Sequence, residues 1–301
     1  LTNVDECESN LQKAYLINTQ TVENISDVLM NQEQHSYLIH VSTDHIYDGE
    51  GLHSEQDVTI TNNYAMTKYA GELAALRMSS AVLRTNFIGR SCVVGRESLS
   101  DWVFRSCANK DSVSVFDDVF FNPLSIASLS EMIRLVINKQ PLGVFNLGSH
   151  HGMSKADFAF KFAKELDLPT SMMKRINSTE VKFLKVYRPK NMIMDISKFE
   201  RVLGVSLPEL DDEIGDAIRQ RAWEYGTTTG RARRCGWFDA VNVKRACRLS
   251  GVTSLCITKL DVLDQFSEIK ICTAYEWTGK HVGAPASQLN KSMQPVPVYE
   301  K

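Results

Sequence analysis

Short apolar, β-branched runs alternate with amphipathic segments through the first two-thirds of the chain, and this alternation narrows the fold more than any other feature. The runs "YLIHVST" (37–43), "AVLRTNFIG" (81–89) and "VFNLG" (144–148) have the length and composition of buried strands. Between them, apolar residues at helical spacing predict helices over 64–78, roughly 98–108, 127–138 and 154–165. The last begins "SKADFAFKFAKEL", with Ser154 as its N-cap. Strands separated by helices in this way pair in parallel and are covered on both faces. The expectation is an α/β fold built on a doubly wound parallel sheet.

The pattern changes at "LGVSLPELDDEIGD" (203–216), where Leu-Pro and an acidic cluster end one rhythm. A polar helix, "EIGDAIRQRAWEYG", then opens another, followed by the basic turn "GRARRCGW". Beyond it come a helix over 239–251 and strands "SLCITKL" (254–260) and "EIKICTAYEW" (268–277). The boundary is expected at about 210, dividing the chain into 1–209 and a separate α/β fragment, 210–301. The final "APASQLNKSMQPVPVYEK" has no periodicity.

Composition narrows the function classes. An apolar share of 43% and a charged share of 23% are ordinary for a soluble globular protein. A net charge of −2 provides no field for non-specific nucleic-acid or acidic-membrane binding. No apolar stretch approaches the roughly 20 residues that span a bilayer. The opening "LTNVDECESN" is acidic and polar, unlike a signal peptide. The seven cysteines are scattered, odd in number and never form C-x-x-C, which argues against a disulfide framework or a zinc ribbon. His150 and His151 are adjacent after a Gly-Ser turn with no partner at ligand spacing, so they read as loop and no metal is expected. The expectation is a reduced, cytoplasmic protein that binds neither nucleic acid nor membrane.

One stretch carries chemistry. In "NNYAMTKYAGE" (62–72), Tyr64 precedes Lys68 by four residues, so the two share a helix face. A free tyrosine, with a pKa of about 10, is a poor acid at neutral pH. A nearby ammonium favours the phenolate and is expected to lower that value. Such a tyrosine can donate a proton to a carbonyl oxygen while hydride reaches the carbon. The spacing alone recurs by chance, but "HVSTD" upstream puts Ser42 and Thr43 at the C-terminal edge of a strand, where open α/β sheets bind ligands. A hydroxyl there can orient the same carbonyl; the plainer alternative makes Thr43 a turn cap and Tyr64 a half-buried aromatic.

Taken in order, "NVDECE" (3–8), "STDHIYDGEG" (42–51), "NNYAMTKYAGE" (62–72), "LRTNFIG" (83–89), "FNPLSIASLSEMI" (121–133), "GVFNLGS" (143–149) and "RPKNMIMDISKFE" (188–200) resemble the dTDP-4-dehydrorhamnose reductases. These are sugar-nucleotide reductases of the extended short-chain dehydrogenase superfamily, and the resemblance covers residues 1 to about 208. It implies that Tyr64 is the proton donor, that Lys68 binds the nicotinamide ribose of NADPH or NADH, and that Thr43 holds the substrate carbonyl. Ser42 is a cofactor-side candidate, and Arg188 a candidate partner for a phosphate of the nucleotide-sugar substrate. The family's fold starts with a strand and a G-x-x-G-x-x-G turn whose N–H groups bind the cofactor pyrophosphate. No such turn occurs in this sequence. The resemblance places Leu1 several strands into that fold, so an incomplete Rossmann-like sheet with an unpaired edge is expected. A homodimer is compatible with this reading.

The second fragment has its own signature. "EYGTTTGRARRCGWFDA" (224–240) combines a Gly-Thr turn with three arginines, and "ITKLD" (257–261) sets Lys259 and Asp261 at a strand end. Hydroxyls, backbone N–H groups and guanidinium forks suit phosphate or carboxylate recognition. An aspartate after a strand can accept both donors of a guanine edge. From "EYGTTTGRARRCGWFDAV" through "ITKLDVLDQFSEIKICTAYEW" to "PVPVYE", residues from about 210 to 301 resemble the later part of adenylosuccinate synthetase. The resemblance implies IMP contacts at Thr228 and Thr229, aspartate or nucleotide contacts at Arg231 and Arg233, and guanine recognition by Lys259 and Asp261. The family's phosphate loop and its catalytic aspartate and histidine have no counterpart here, so GTP and Mg²⁺ would be used only by a completed segment. Three readings stand open: a sugar-nucleotide carbonyl reductase, impaired by truncation; a guanine-nucleotide or IMP-binding module; and an inactive chimera of two gene fragments.

Overall fold

The computed structural model describes residues 1–33, 35–91, 97–181, 184–221, 238–252, 254, 270–277, 280–282 and 296–300. The chain forms two compact units, one of Leu1–Glu165 with Pro169–Arg221, the other of Leu166–Leu168 with Ala222–Lys301.

The first unit opens with helices α1 (Val4–Ser9), α2 (Leu11–Tyr15), a π-helical turn (Leu16–Gln20) and α3 (Thr21–Met30). The Asn3 and Asn10 side chains accept from the N–H groups of Glu6 and Lys13, capping α1 and α2. Strand β1 (Leu38–Val41) follows, then α4 (Asn63–Ala75) and β2 (Ser80–Thr85). Next come β3 (Phe87–Ile88), α5 (Leu99–Ala108), β4 (Val113–Phe116), β5 (Phe120–Phe121), β6 (Leu124–Ser125) and α6 (Ile126–Lys139). The unit continues with β7 (Gly143–Leu147), β8 (Met153–Ser154), α7 (Lys155–Glu165), β9 (Met173–Ile176), α8 (Ser197–Leu203) and α9 (Leu210–Arg221).

The three long runs singled out from the sequence pair as β1-β2-β7, all parallel, with Leu38 opposite Ser80 and Ala81 opposite Gly143. Every residue of the central strand β2 is buried. Leu83, Phe145, Leu147, Ile46, Phe199 and Leu203 join in one core. The fold is thus mixed α/β with parallel strand pairing. The run 81–89 differs from its expectation in one respect. It breaks at Asn86, so that Phe87–Ile88 pairs with β6 instead of continuing the sheet. Among the described residues β1 has a strand on one side only, and its residues are half-buried or exposed, with Val41 at 39%.

The π-helical turn lies directly on α4. Asn18 donates to the Thr67 hydroxyl at 3.1 Å and Thr19 to the Thr67 carbonyl at 2.8 Å. Gly71 permits this closeness, since a Cβ there would lie 2.3 Å from the Asn18 carbonyl oxygen. Gly71→Ala is therefore expected to destabilise the unit by about 1–3 kcal/mol, against a helix-propensity gain of about 1 kcal/mol. An unchanged or raised denaturant midpoint for this unit would contradict that.

Close to the boundary expected near 210, the first compact unit continues to Arg221. The acidic cluster begins helix α9 of the first unit, where Leu210 and Ile214 are each 1% exposed. Glu213 accepts from the Ser125 N–H and, at 2.6 Å, from the Ser128 hydroxyl, satisfying donors in the first turn of α6. An acidic side chain that caps another helix reads, in sequence, like a solvated break.

In the second unit, β10 (Phe238–Asp239) leads into α10 (Ala240–Ser250), followed by β11 (Ile271–Trp277), β12 (Lys280–Val282) and β13 (Val296–Glu300). Asp239 caps α10 by accepting from the Asn242 N–H at 2.9 Å, and Gly251 ends it at φ +64°. Strand β11 pairs parallel with β10 and antiparallel with β12 and β13. The helix expected at 239–251 and the strand at 268–277 thus appear in this unit. The strand expected at 254–260 lies outside the described residues, apart from Ser254.

Candidate functional site

Strand β1 ends at Val41, and the chain turns at once, bringing Thr43 under the first turn of α4. The Thr43 hydroxyl accepts from the His45 N–H at 3.2 Å, capping a 3₁₀ turn over Asp44–Ile46. Asn62 caps α4, accepting from the Ala65 N–H at 2.9 Å, so Tyr64 sits in the helix's opening turn. Thr43 and Tyr64 are 5% and 7% exposed and hydrogen-bond to one another. Thr43 is therefore both a turn cap and the tyrosine's partner, so the two alternatives for it are compatible.

The environment of Tyr64 reverses one expectation. Burial pushes its phenol up to about 12, with the Asp44 carboxylate adding to the shift and the Thr43 hydrogen bond opposing it. Desolvation is the largest cause of the shift, and the Lys68 ammonium expected to oppose it is directed to the Val41 carbonyl instead. A phenol in this state keeps its proton at neutral pH and is a weaker acid than a free tyrosine.

Lys68 shares the helix face but turns to the sheet edge, donating to the Val41 carbonyl at 2.9 Å. Burial lowers its pKa while Glu72, the next residue along the stripe, raises it. The Ser42 hydroxyl donates to Glu72, itself held by Arg84 at 2.7 Å. The Ser42 hydroxyl is thus engaged in the interior. Arg188 pairs through one nitrogen with Asp5 at 2.7 Å, and its Nη1 is buried with no partner.

Sequence reasoning missed a group around these residues. Asp44 is buried and pushed up to about 6 by desolvation, although Asn86 donates to it at 2.6 Å. The His45 ring stands edge-on to Tyr64 with centroids 5.4 Å apart, and burial lowers its pKa to about 3. Lys155, at the start of α7, acts electrostatically on both Asp44 and His45. Adjacency to Thr43 in "STDH" is the one signal that could have found Asp44 and His45. Nothing local marks Lys155. Thr228, Thr229, Arg231, Arg233, Lys259 and Asp261 lie outside the described residues.

Comparison with known proteins gives two separate results. Residues 1–222 match the family described as RmlD substrate binding domain, and residues 199–301 match adenylosuccinate synthetase. The two matches overlap across α8 and α9. A solved structure of a hypothetical dTDP-4-dehydrorhamnose reductase from Sulfolobus tokodaii superposes with a TM-score of 0.61 at 26% identity, covering 70% of this chain and 74% of that one. The Bacillus anthracis dTDP-4-dehydrorhamnose reductase in complex with NADP gives 0.65 at 22% identity, covering 72% and 76%, a likeness of fold. Among curated proteins, the adenylosuccinate synthetase of Helicobacter hepaticus is 62% identical over 72 residues, 24% of this chain and 17% of that protein. That of Stenotrophomonas maltophilia is 59% identical over 81 residues, 27% and 19%. The chain thus spans about a fifth of the length of the curated relatives it matches.

Proposed function

Since the chain belongs, over residues 1–222, to the RmlD substrate binding domain family, we propose that this part binds a nucleotide sugar and presents Tyr64 as proton donor for reduction of its carbonyl. The observation that carries the reading is the buried Thr43–Tyr64 contact at the C-terminal end of β1. Thr43 and Tyr64 are the two hydroxyls able to donate to one carbonyl oxygen. Burial keeps the Tyr64 proton in place until that oxygen gains charge, and Asp44 beside it disfavours premature loss. Lys68 supports the nicotinamide assignment: it is half-buried at the strand edge beside Tyr64, and its one hydrogen bond to Val41 leaves donors for ribose hydroxyls. NADPH or NADH, when bound, supplies the hydride.

The 301 residues contain no G-x-x-G-x-x-G turn, and the pyrophosphate of the cofactor needs such N–H groups. The 301-residue chain is therefore impaired as a reductase and is expected to bind NADPH more weakly than micromolar. The same chain preceded by a strand–helix–strand unit with that turn is expected to bind it well. Titration of NADPH fluorescence tests this, and micromolar binding by the 301-residue chain would contradict it.

A second reading applies to the remainder, because residues 199–301 match adenylosuccinate synthetases at up to 62% identity. It makes this segment an affinity site for IMP or a guanine nucleotide without synthetase chemistry. Phosphoryl transfer to IMP needs a phosphate cradle, Mg²⁺ and a base, and the segment carries none of that family's phosphate-loop or catalytic residues. No adenylosuccinate is expected from IMP, aspartate and GTP. Product above a heat-killed control, read by ultraviolet absorbance, would overturn this.

A further inference from the structure

We propose that Asp44 is a positioning residue for the carbonyl-binding hydroxyl: ionised, it takes the Thr43 proton, and protonated, it releases that proton to the substrate oxygen. The inference rests on the reading of Thr43 as the holder of the carbonyl. A hydroxyl has one proton to donate and two lone pairs with which to accept. At Thr43 all three are engaged. The oxygen accepts from the His45 N–H at 3.2 Å and shares a hydrogen bond with Tyr64, while the proton goes to Oδ1 of Asp44 at 3.3 Å. Thr43 therefore has nothing left for a carbonyl oxygen until one of these partners yields. The His45 N–H belongs to the 3₁₀ turn, and Tyr64 carries the proton for the reaction itself. Asp44 is the partner whose hold changes with its charge, since a carboxylate accepts more strongly than a carboxylic acid.

The surroundings bring that change of charge close to neutral pH. Asp44 is 1% exposed, and burial lifts its carboxyl to about 6. The Asn86 amide, donating to Oδ2 at 2.6 Å from just past β2, the Lys155 ammonium at the start of α7 and the Thr43 hydroxyl oppose that lift. From α4 the Tyr64 phenol, itself pushed up to about 12, stays protonated. Beside it the His45 ring, lowered to about 3, stays neutral. Of the groups bonded to Thr43, Asp44 is thus the one that titrates near neutrality. Above its midpoint the carboxylate turns the Thr43 proton away from the carbonyl, and below it the proton is free to be shared.

The deciding test is a carbon-13 titration of the aspartate carboxyls in the 301-residue chain, with the Asp44 signal identified by its loss in Asp44→Asn. Thr43→Val removes the hydroxyl that favours the carboxylate, so the Asp44 midpoint is expected to rise by about half a pH unit. Thr43→Ser, which keeps the hydroxyl, is expected to leave the midpoint in place. Thr43→Ala serves instead if the circular dichroism of Thr43→Val departs from the parent's. A midpoint that stays put when the hydroxyl is lost would overturn the proposal. The consequence for the reaction is read in the chain extended by a strand–helix–strand unit carrying the G-x-x-G-x-x-G turn. There kcat/KM for a dTDP-4-keto-6-deoxy sugar is expected to fall about three- to tenfold as pH rises through the Asp44 midpoint, the worth of one hydrogen bond. Asp44→Asn, neutral throughout, is expected to flatten that profile. Asn86→Ala removes a donor to the carboxylate and is expected to move the profile to higher pH. An unaltered profile in either variant would likewise overturn the proposal. No reduction by the extended chain at any pH would count against the reductase reading, and the titration, which needs no turnover, would then decide whether Asp44 holds the Thr43 proton.

Discussion

Arg84→Met is expected to destabilise the first unit by about 3–5 kcal/mol, and Glu72→Gln by a similar amount, because each strands a buried partner. Arg84 is 2% exposed and Glu72 fully buried. The guanidinium donates to both Glu72 oxygens at 3.2, 3.0 and 2.7 Å, to the Tyr47 hydroxyl at 2.8 Å and to the Glu55 carbonyl at 2.7 Å. Tyr47 passes its own proton to Asn146 at 2.6 Å, and Ser42 donates to Glu72. Nearly every donor in this network is used, so loss of one member leaves the others without water to replace it. The double variant Arg84→Met/Glu72→Leu is expected to cost less than the two single costs added together, since an apolar pair leaves no charge behind. Hydrogen exchange of the β2 amides reads this unit directly. Protection within about 1 kcal/mol of the parent in either single variant would show that the pair is dispensable.

The sheet was legible because its strands carry the signal in their own composition. "YLIHVST", "AVLRTNFIG" and "VFNLG" became β1, β2 and β7, and helices α4 to α7 fell close to their expected spans. Helices α1 to α3 were not foreseen. Their pattern is interrupted by the Asn10 cap and a π-helical turn, and Leu16, Ile17 and Val28 remain exposed, so no continuous apolar stripe marks them. The Arg84 position in a fully buried strand was equally opaque, since its partner Glu72 lies on a helix. At the site, the pairing of Thr43 with Tyr64 followed from strand-end and helix logic. The acidity of Tyr64 did not, because spacing along a helix reports which charges are near and says nothing about how much water is excluded. Lys155 and Arg188 reach the same place from distant segments, which only the folded chain reveals.

These points converge on Tyr64. In the proposed reaction Tyr64, buried and tied to Thr43, is the donor, and its removal would leave the substrate oxygen with one hydroxyl fewer and no proton to take. Tyr64→Phe keeps the ring, its edge-on contact with His45 and its packing with Val4, Cys7 and Ala14, so the fold is expected to be unaffected. The most direct measurement is the rate of NADPH oxidation with a dTDP-4-keto-6-deoxy sugar. It uses the chain extended by a strand–helix–strand unit carrying the G-x-x-G-x-x-G turn, with and without Tyr64→Phe. Turnover is expected to fall by about 10²–10⁴-fold while NADPH binding stays unchanged. Near-parental turnover in Tyr64→Phe, or no reduction by the extended chain, would contradict the assignment of this unit as a carbonyl reductase working through Tyr64.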